Sequence, residues 1–124
     1  MYSEQILKHF KNPHNVGKVV KPSGMGSAEN ADIIEISLKI ENEIIIDAKF
    51  KAFGSIAIIA VGSILTDYIK KMHVNDAAGI DEKEILNLIG ELESDKQYTI
   101  TLAKTALNLA ITNHIKQLKK SKTT

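Results

Sequence analysis

The sequence predicts an α+β fold: a small antiparallel sheet containing a β-hairpin, with an N-terminal helix and several C-terminal helices packed on it. Three observations carry this expectation. Two runs, Ile34 to Glu41 and Ile44 to Ala52, alternate apolar and polar residues with period two. A short polar break, Glu41-Asn42-Glu43, separates them. After Gly54 the apolar spacing becomes helical and stays so to the end of the chain.

The first helix is expected to start at Ser3, whose hydroxyl suits an N-cap, with Glu4 in the first turn. Ile6, Leu7 and Phe10 give it a narrow apolar stripe, and Asn12-Pro13 ends it, because a residue before proline leaves the α region. Asn15 to Gly26 contains Gly17, Gly24, Gly26 and Pro22 and reads as irregular, with room for one short strand. In the hairpin, Ile34, Ile36, Leu38 and Ile40 form one apolar face, and Ile44, Ile46, Ala48, Phe50 and Ala52 form the other. Parity joins these faces if Ile40 lies opposite Ile44 across a three-residue loop, Glu41 to Glu43.

Ser55 is placed to cap a helix that runs to about Met72 and is apolar all round in its first half, so it should be buried on most sides. Asp81 and Glu84 have capping-box spacing ahead of Ile85, Leu88, Ile89 and Leu92. A last helix near residues 99 to 118 carries Ala103, Ala106, Leu107, Ala110 and Ile111 on one stripe. The lysine-rich end, residues 116–124, reads as a solvated, fraying tail of a single domain spanning 1–124.

Composition excludes several functions. There is no cysteine, hence no disulfide, thiol nucleophile or thiolate metal site. The basic residues are all lysine, so no guanidinium fork is available for phosphate or carboxylate. A net charge of +1 gives no field that would draw nucleic acid. No apolar run reaches the ~20 residues a bilayer span needs, and no signal peptide is visible, so a cytoplasmic protein without a membrane partner is expected. No Ser-His-Asp order, phosphate loop or paired carboxylates stand at useful spacing, which points away from an enzyme. Gly24 and Gly26 lack a following helix. His9, His14, His73 and His114 show no i, i+4 pair, so each is read as a surface or packing residue, with His14 part of a turn. Ser55 and Thr99 read as helix caps, and Asp32 as a solvated strand start, a turn that caps its own backbone, or a residual ion ligand.

Asn12-Pro13-His14-Asn15-Val16-Gly17, the strand Asp47 to Gly54 and the helix from Leu102 to Ile111 together resemble the NifU/IscU iron–sulfur scaffold family over nearly the whole chain. The resemblance implies that family's fold and a role in iron and iron–sulfur cluster binding. It also places the family's cluster ligands, three cysteines and a histidine, at Asn30, Ser55, Thr99 and Tyr98, with its aspartate retained as Asp32. Neutral amide and hydroxyl oxygens are poor replacements for thiolate on iron, and a hydroxyl cannot carry a persulfide. No cluster cofactor is therefore expected, and Asp32 is the one weak metal candidate.

The resemblance further implies contact with a cysteine desulfurase through the first helix, where Glu4 and Lys8 are the docking candidates. The family's chaperone-binding segment would fall at Leu92 to Lys96, but without its two prolines, which argues against that partner. The expected function is a binding or regulatory homologue within iron–sulfur cluster assembly. The alternatives are a hard-metal or small-ligand binder using the vacated pocket near Asp32, Ser55 and Tyr98, and a structural, oligomerising subunit.

Overall fold

The computed structural model describes residues 2–122. Helix α1 spans Glu4–Lys11, and Ser3 caps it as expected, its hydroxyl oxygen accepting from Ile6 N at 3.2 Å. Three strands follow: β1 (Gly24–Glu29), β2 (Ile33–Glu41) and β3 (Ile44–Phe53), antiparallel in that order. Helix α2 covers Ile56–Ile69, a short α3 covers Val74–Ala78, α4 covers Glu82–Ile89 and α5 covers Tyr98–Lys122. Asp81 caps α4 by accepting from Glu84 N at 2.7 Å. Within 116–124, helix α5 continues to Lys122, and Thr123 and Thr124 lie outside the described residues.

The sheet and helices form two layers. Helix α5 lies over β1 and β2, α2 packs beside it against β3, and α1 docks on α2. Ile34, Ile36, Leu38, Ala48 and Phe50 meet Ile58, Val61, Leu65, Ala103, Ala106 and Leu107 in one core. Gly24 and Gly26 explain the close seat of α5, since a Cβ there would lie 2.1 Å from Ala110 O and 2.5 Å from Ala106 O. These glycines are strand positions admitting a helix backbone, so the irregular reading of Asn15 to Gly26 is corrected at its end. The outer edge of β3 is covered by two main-chain bonds, Phe50 N donating to Asn15 O at 2.9 Å and Gly17 N donating to Phe50 O at 2.8 Å.

The hairpin departs from the expected register. Its loop has two residues, Asn42 and Glu43, both at positive φ (51° and 63°), and Ile40 pairs with Ile45, not Ile44. That turn matches the strand twist better than a three-residue loop. A bulge opposite the Lys39–Ile40 step leaves Ile46 unpaired and half exposed, and beyond it Leu38 faces Ala48 and Ile36 faces Phe50. The extra residue thus restores the parity that a two-residue loop breaks, and Ile36 and Leu38 are fully buried.

Candidate functional site

At the N-terminal end of α2, three chain segments meet. The turn before β2 supplies Asp32, the strand-to-helix step supplies Gly54 and Ser55, and the first residue of α5 supplies Tyr98. Asp32 is buried, and its carboxylate accepts three hydrogen bonds. Oδ1 accepts from Ser55 N at 2.9 Å, and Oδ2 accepts from Ser55 Oγ at 2.7 Å and from Tyr98 Oη at 2.8 Å. Ser55 Oγ also accepts from Ile58 N at 3.2 Å, so one hydroxyl caps α2 and clasps Asp32 together. Gly54 has φ +137°, and a Cβ there would lie 1.9 Å from Asp32 Oδ1, so only glycine lets the carboxylate approach.

Burial pushes the Asp32 carboxyl up, but the hydrogen bonds from Ser55 and Tyr98, aided by the Lys96 ammonium, outweigh it and hold the group below the usual carboxylate range. The same contact pushes the Tyr98 phenol up. Asp32 is therefore an anion with its lone pairs engaged, not the solvated strand start the sequence suggests. The other two expected positions do not join it. Asn30 is exposed, and its main-chain N–H bonds Asp32 O at 2.8 Å. Thr99 is buried within α5 and donates to Lys96 O at 2.7 Å, so it lies inside the helix and is not the N-cap that its hydroxyl suggests. The helix begins one residue earlier, and its hydroxyl ties back to the preceding 3₁₀ turn, Ser94–Lys96.

A second polar group lies at the opposite end of α2. His9 of α1, His14 of the following turn and Asp67 of α2 place one donor atom each within 4.8 Å of one another. His9 is buried, with Nδ1 2.6 Å from Ser63 Oγ; His14 Nδ1 lies 2.5 Å from Asp67 Oδ2. Asn15 donates to Asp67 Oδ1 at 2.8 Å, and Lys70 donates to Asn15 Oδ1. Burial, reinforced by His14 and Lys8 against the pull of Asp67, lowers the affinity of His9 for its proton. Sequence spacing missed this group because its members come from three segments. The other histidines behave as packing residues: His73 caps α3 through Nδ1, and buried His114 meets Glu43 at 3.2 Å.

The family model for the NifU-like N terminal domain matches residues 1–121. The chain belongs to this family. It is similar to the iron–sulfur cluster assembly scaffold protein IscU 1 of Archaeoglobus fulgidus, 33% identical over 120 residues, covering 94% of this chain and 78% of that protein. It is similar also to the IscU scaffold of Haemophilus influenzae, 33% identical over 120 residues, with 91% and 94% covered. Among solved structures, a protein described as a SUF-system scaffold from Fervidobacterium islandicum shares the fold at TM-score 0.71 and 20% identity, covering 89% of this chain and 96% of that one. A NifU-like N-terminal domain from Brucella abortus does so at TM-score 0.64 and 14% identity, covering 95% of this chain and 94% of that one. This NifU-like domain has the family fold without a single thiolate. Among its described residues no helix is long and apolar enough to cross a membrane.

Proposed function

We propose that the protein works in iron–sulfur cluster assembly as a binding or regulatory homologue of the scaffolds, non-enzymatic and cytoplasmic, holding no cluster of its own. The observation that carries this reading is the Asp32 clasp. At the places where the resemblance puts cluster ligands, Ser55 and Tyr98 spend their hydroxyl protons on Asp32. A cation or cluster entering there has to break three hydrogen bonds to a buried carboxylate, and it finds no imidazole or thiolate in return. The same closure speaks against a hard-metal site at Asp32: among the described residues, the one group of three imidazole and carboxylate donors lies elsewhere.

The partner in this reading is a cysteine desulfurase, bound through α1, where Glu4 and Lys8 are exposed. A chaperone that takes an extended peptide is disfavoured, because Leu92 is buried and Ser94–Lys96 is wound into a 3₁₀ turn. Two measurements test the proposal. Anaerobic reconstitution with iron and sulfide is expected to give no thiolate-to-iron absorption after desalting; a stoichiometric cluster would overturn it. Titration of the host's desulfurase, alone and against an ordinary scaffold, is expected to show binding and competition. No binding at tens of micromolar removes the regulatory reading.

A further inference from the structure

We propose that His9, His14 and Asp67 form a binding site for a divalent transition-metal ion of the zinc class, separate from the Asp32 clasp and independent of the desulfurase reading. Two imidazoles and one carboxylate are the donor set that suits Zn²⁺, Co²⁺ or Ni²⁺ better than Mg²⁺ or Ca²⁺, which prefer all-oxygen shells. Three protein ligands leave a coordination position open.

The geometry is near what an ion needs. Donors at ~2.0–2.1 Å from zinc stand ~3.4 Å apart in a tetrahedron. Here they already lie within 4.8 Å of one another, and His14 Nδ1 and Asp67 Oδ2 are 2.5 Å apart, closer than an ion between them would set them. The adjustment falls on His14 and Asp67, which are exposed, whereas His9 is fixed in the core between α1 and α2.

The surroundings hold the ligands from behind. Ser63 Oγ bonds His9 Nδ1 at 2.6 Å and also accepts from the His14 main-chain N–H at 2.8 Å, so one hydroxyl ties both histidine segments to α2. Asn15, at positive φ, donates to Asp67 Oδ1 and to Thr66 Oγ1, leaving Asp67 Oδ2 toward His14. Outer partners of this kind orient ligands in metal sites. A cavity of about 230 Å³, lined by Gln5, His9, Ile64, Asp67, Tyr68 and Leu88, opens beside the donors and gives an exogenous ligand room at the free position.

Protons and cations compete for imidazole and carboxylate lone pairs, so binding should weaken as the pH falls. The charged groups around the site are Lys8 on α1 and Lys70 at the end of α2, the latter held on Asn15.

The test uses the untagged full chain, stripped of metal and titrated with Co²⁺ at pH 7.5, followed by Zn²⁺ competition. One equivalent of Co²⁺ is expected, with visible d–d bands of a nitrogen- and oxygen-ligated ion that Zn²⁺ abolishes. His14→Ala and Asp67→Asn, both at exposed positions, should each weaken binding by about tenfold or more while the metal-free protein still melts cooperatively within a few degrees of the parent. Asp32→Asn and His73→Ala should leave the affinity unchanged. No uptake near one equivalent, or uptake that persists in both site variants, overturns the proposal.

Discussion

The two ends of helix α2 carry two polar constellations with opposite chemistry. They are ~18 Å apart, twelve residues at 1.5 Å each. At the start, Ser55 and Tyr98 donate their hydroxyl protons to Asp32, whose carboxylate accepts three hydrogen bonds from within the protein. Near the end, Asp67 faces two imidazoles, and one ring nitrogen of each histidine stands beside a carboxylate oxygen. The first arrangement is a clasp between β2, α2 and α5. The second is a donor set. At Ser55 one hydroxyl serves as cap and clasp together, because a hydroxyl both accepts from a helix N–H and donates to a carboxylate.

This contrast breaks first at Gly54. Gly54→Ala forces a positive φ on a residue with a Cβ and drives that atom into Asp32 Oδ1. It should cost about 3 kcal/mol of stability in urea unfolding, from strain plus a displaced buried anion. If it costs less than about 0.5 kcal/mol, typical of a bland surface change, the clasp is not a structural element.

Asp32→Asn comes next. The amide keeps the shape but loses the charge that three donors address, so a loss of about 2 kcal/mol is expected. The matching change at the other end, Asp67→Asn, should cost the metal-free protein less than about 1 kcal/mol, since its partners are exposed. Equal losses at both ends would erase the distinction between clasp and donor set.

The two ends should also titrate apart. Asp32 is held below its unfolded value, so its stabilisation is present above the ordinary carboxylate range and is lost as pH falls through the folded value. His9 is also lowered, by burial first and then by His14 and Lys8. For a histidine this means the unfolded chain takes up the proton earlier, so stability falls as pH drops below about 6.5. Urea midpoints from pH 8 to pH 3 should therefore decline first near the histidine range and again in the carboxylate range. His9→Gln should flatten the first decline and Asp32→Asn the second.

Much of the fold was legible because it rests on periodicity and caps. Ser3, Ser55 and Asp81 each cap the helix they precede. The hairpin register was not legible: a bulge moves Ile45 inward and Ile46 outward, and alternation alone cannot see one inserted residue. Glu43 at positive φ hid the two-residue turn, for which Asn42 was the only local cue. Strand β1 was partly lost to its glycines, whose meaning depends on Ala106 and Ala110 of the distant helix α5. At the site, Asp32, Ser55 and Tyr98 were grouped by family resemblance, and the structure brings them together. His9, His14 and Asp67 escaped because no sequence interval relates them; the packing of α1 on α2 does.

The smallest expected effect on stability belongs to the outer face of α1. Glu4 and Lys8 are one helical turn apart and exposed, whereas Ile6 and His9 on the same helix are buried against α2. Neutralising either charge removes a weak, screened interaction with the helix dipole and touches no packing. Glu4→Gln and Lys8→Gln should therefore shift unfolding by no more than ~0.5 kcal/mol. Desulfurase affinity should respond more, because a charge at a docking surface acts on the partner and not on the fold. A several-fold weakening of desulfurase binding in either variant, with unchanged melting, separates a docking face from a packing face. Unchanged affinity in both variants, measured against a desulfurase that does bind, would move the contact off α1 and toward the exposed Phe53 and Ile33 beside the Asp32 clasp.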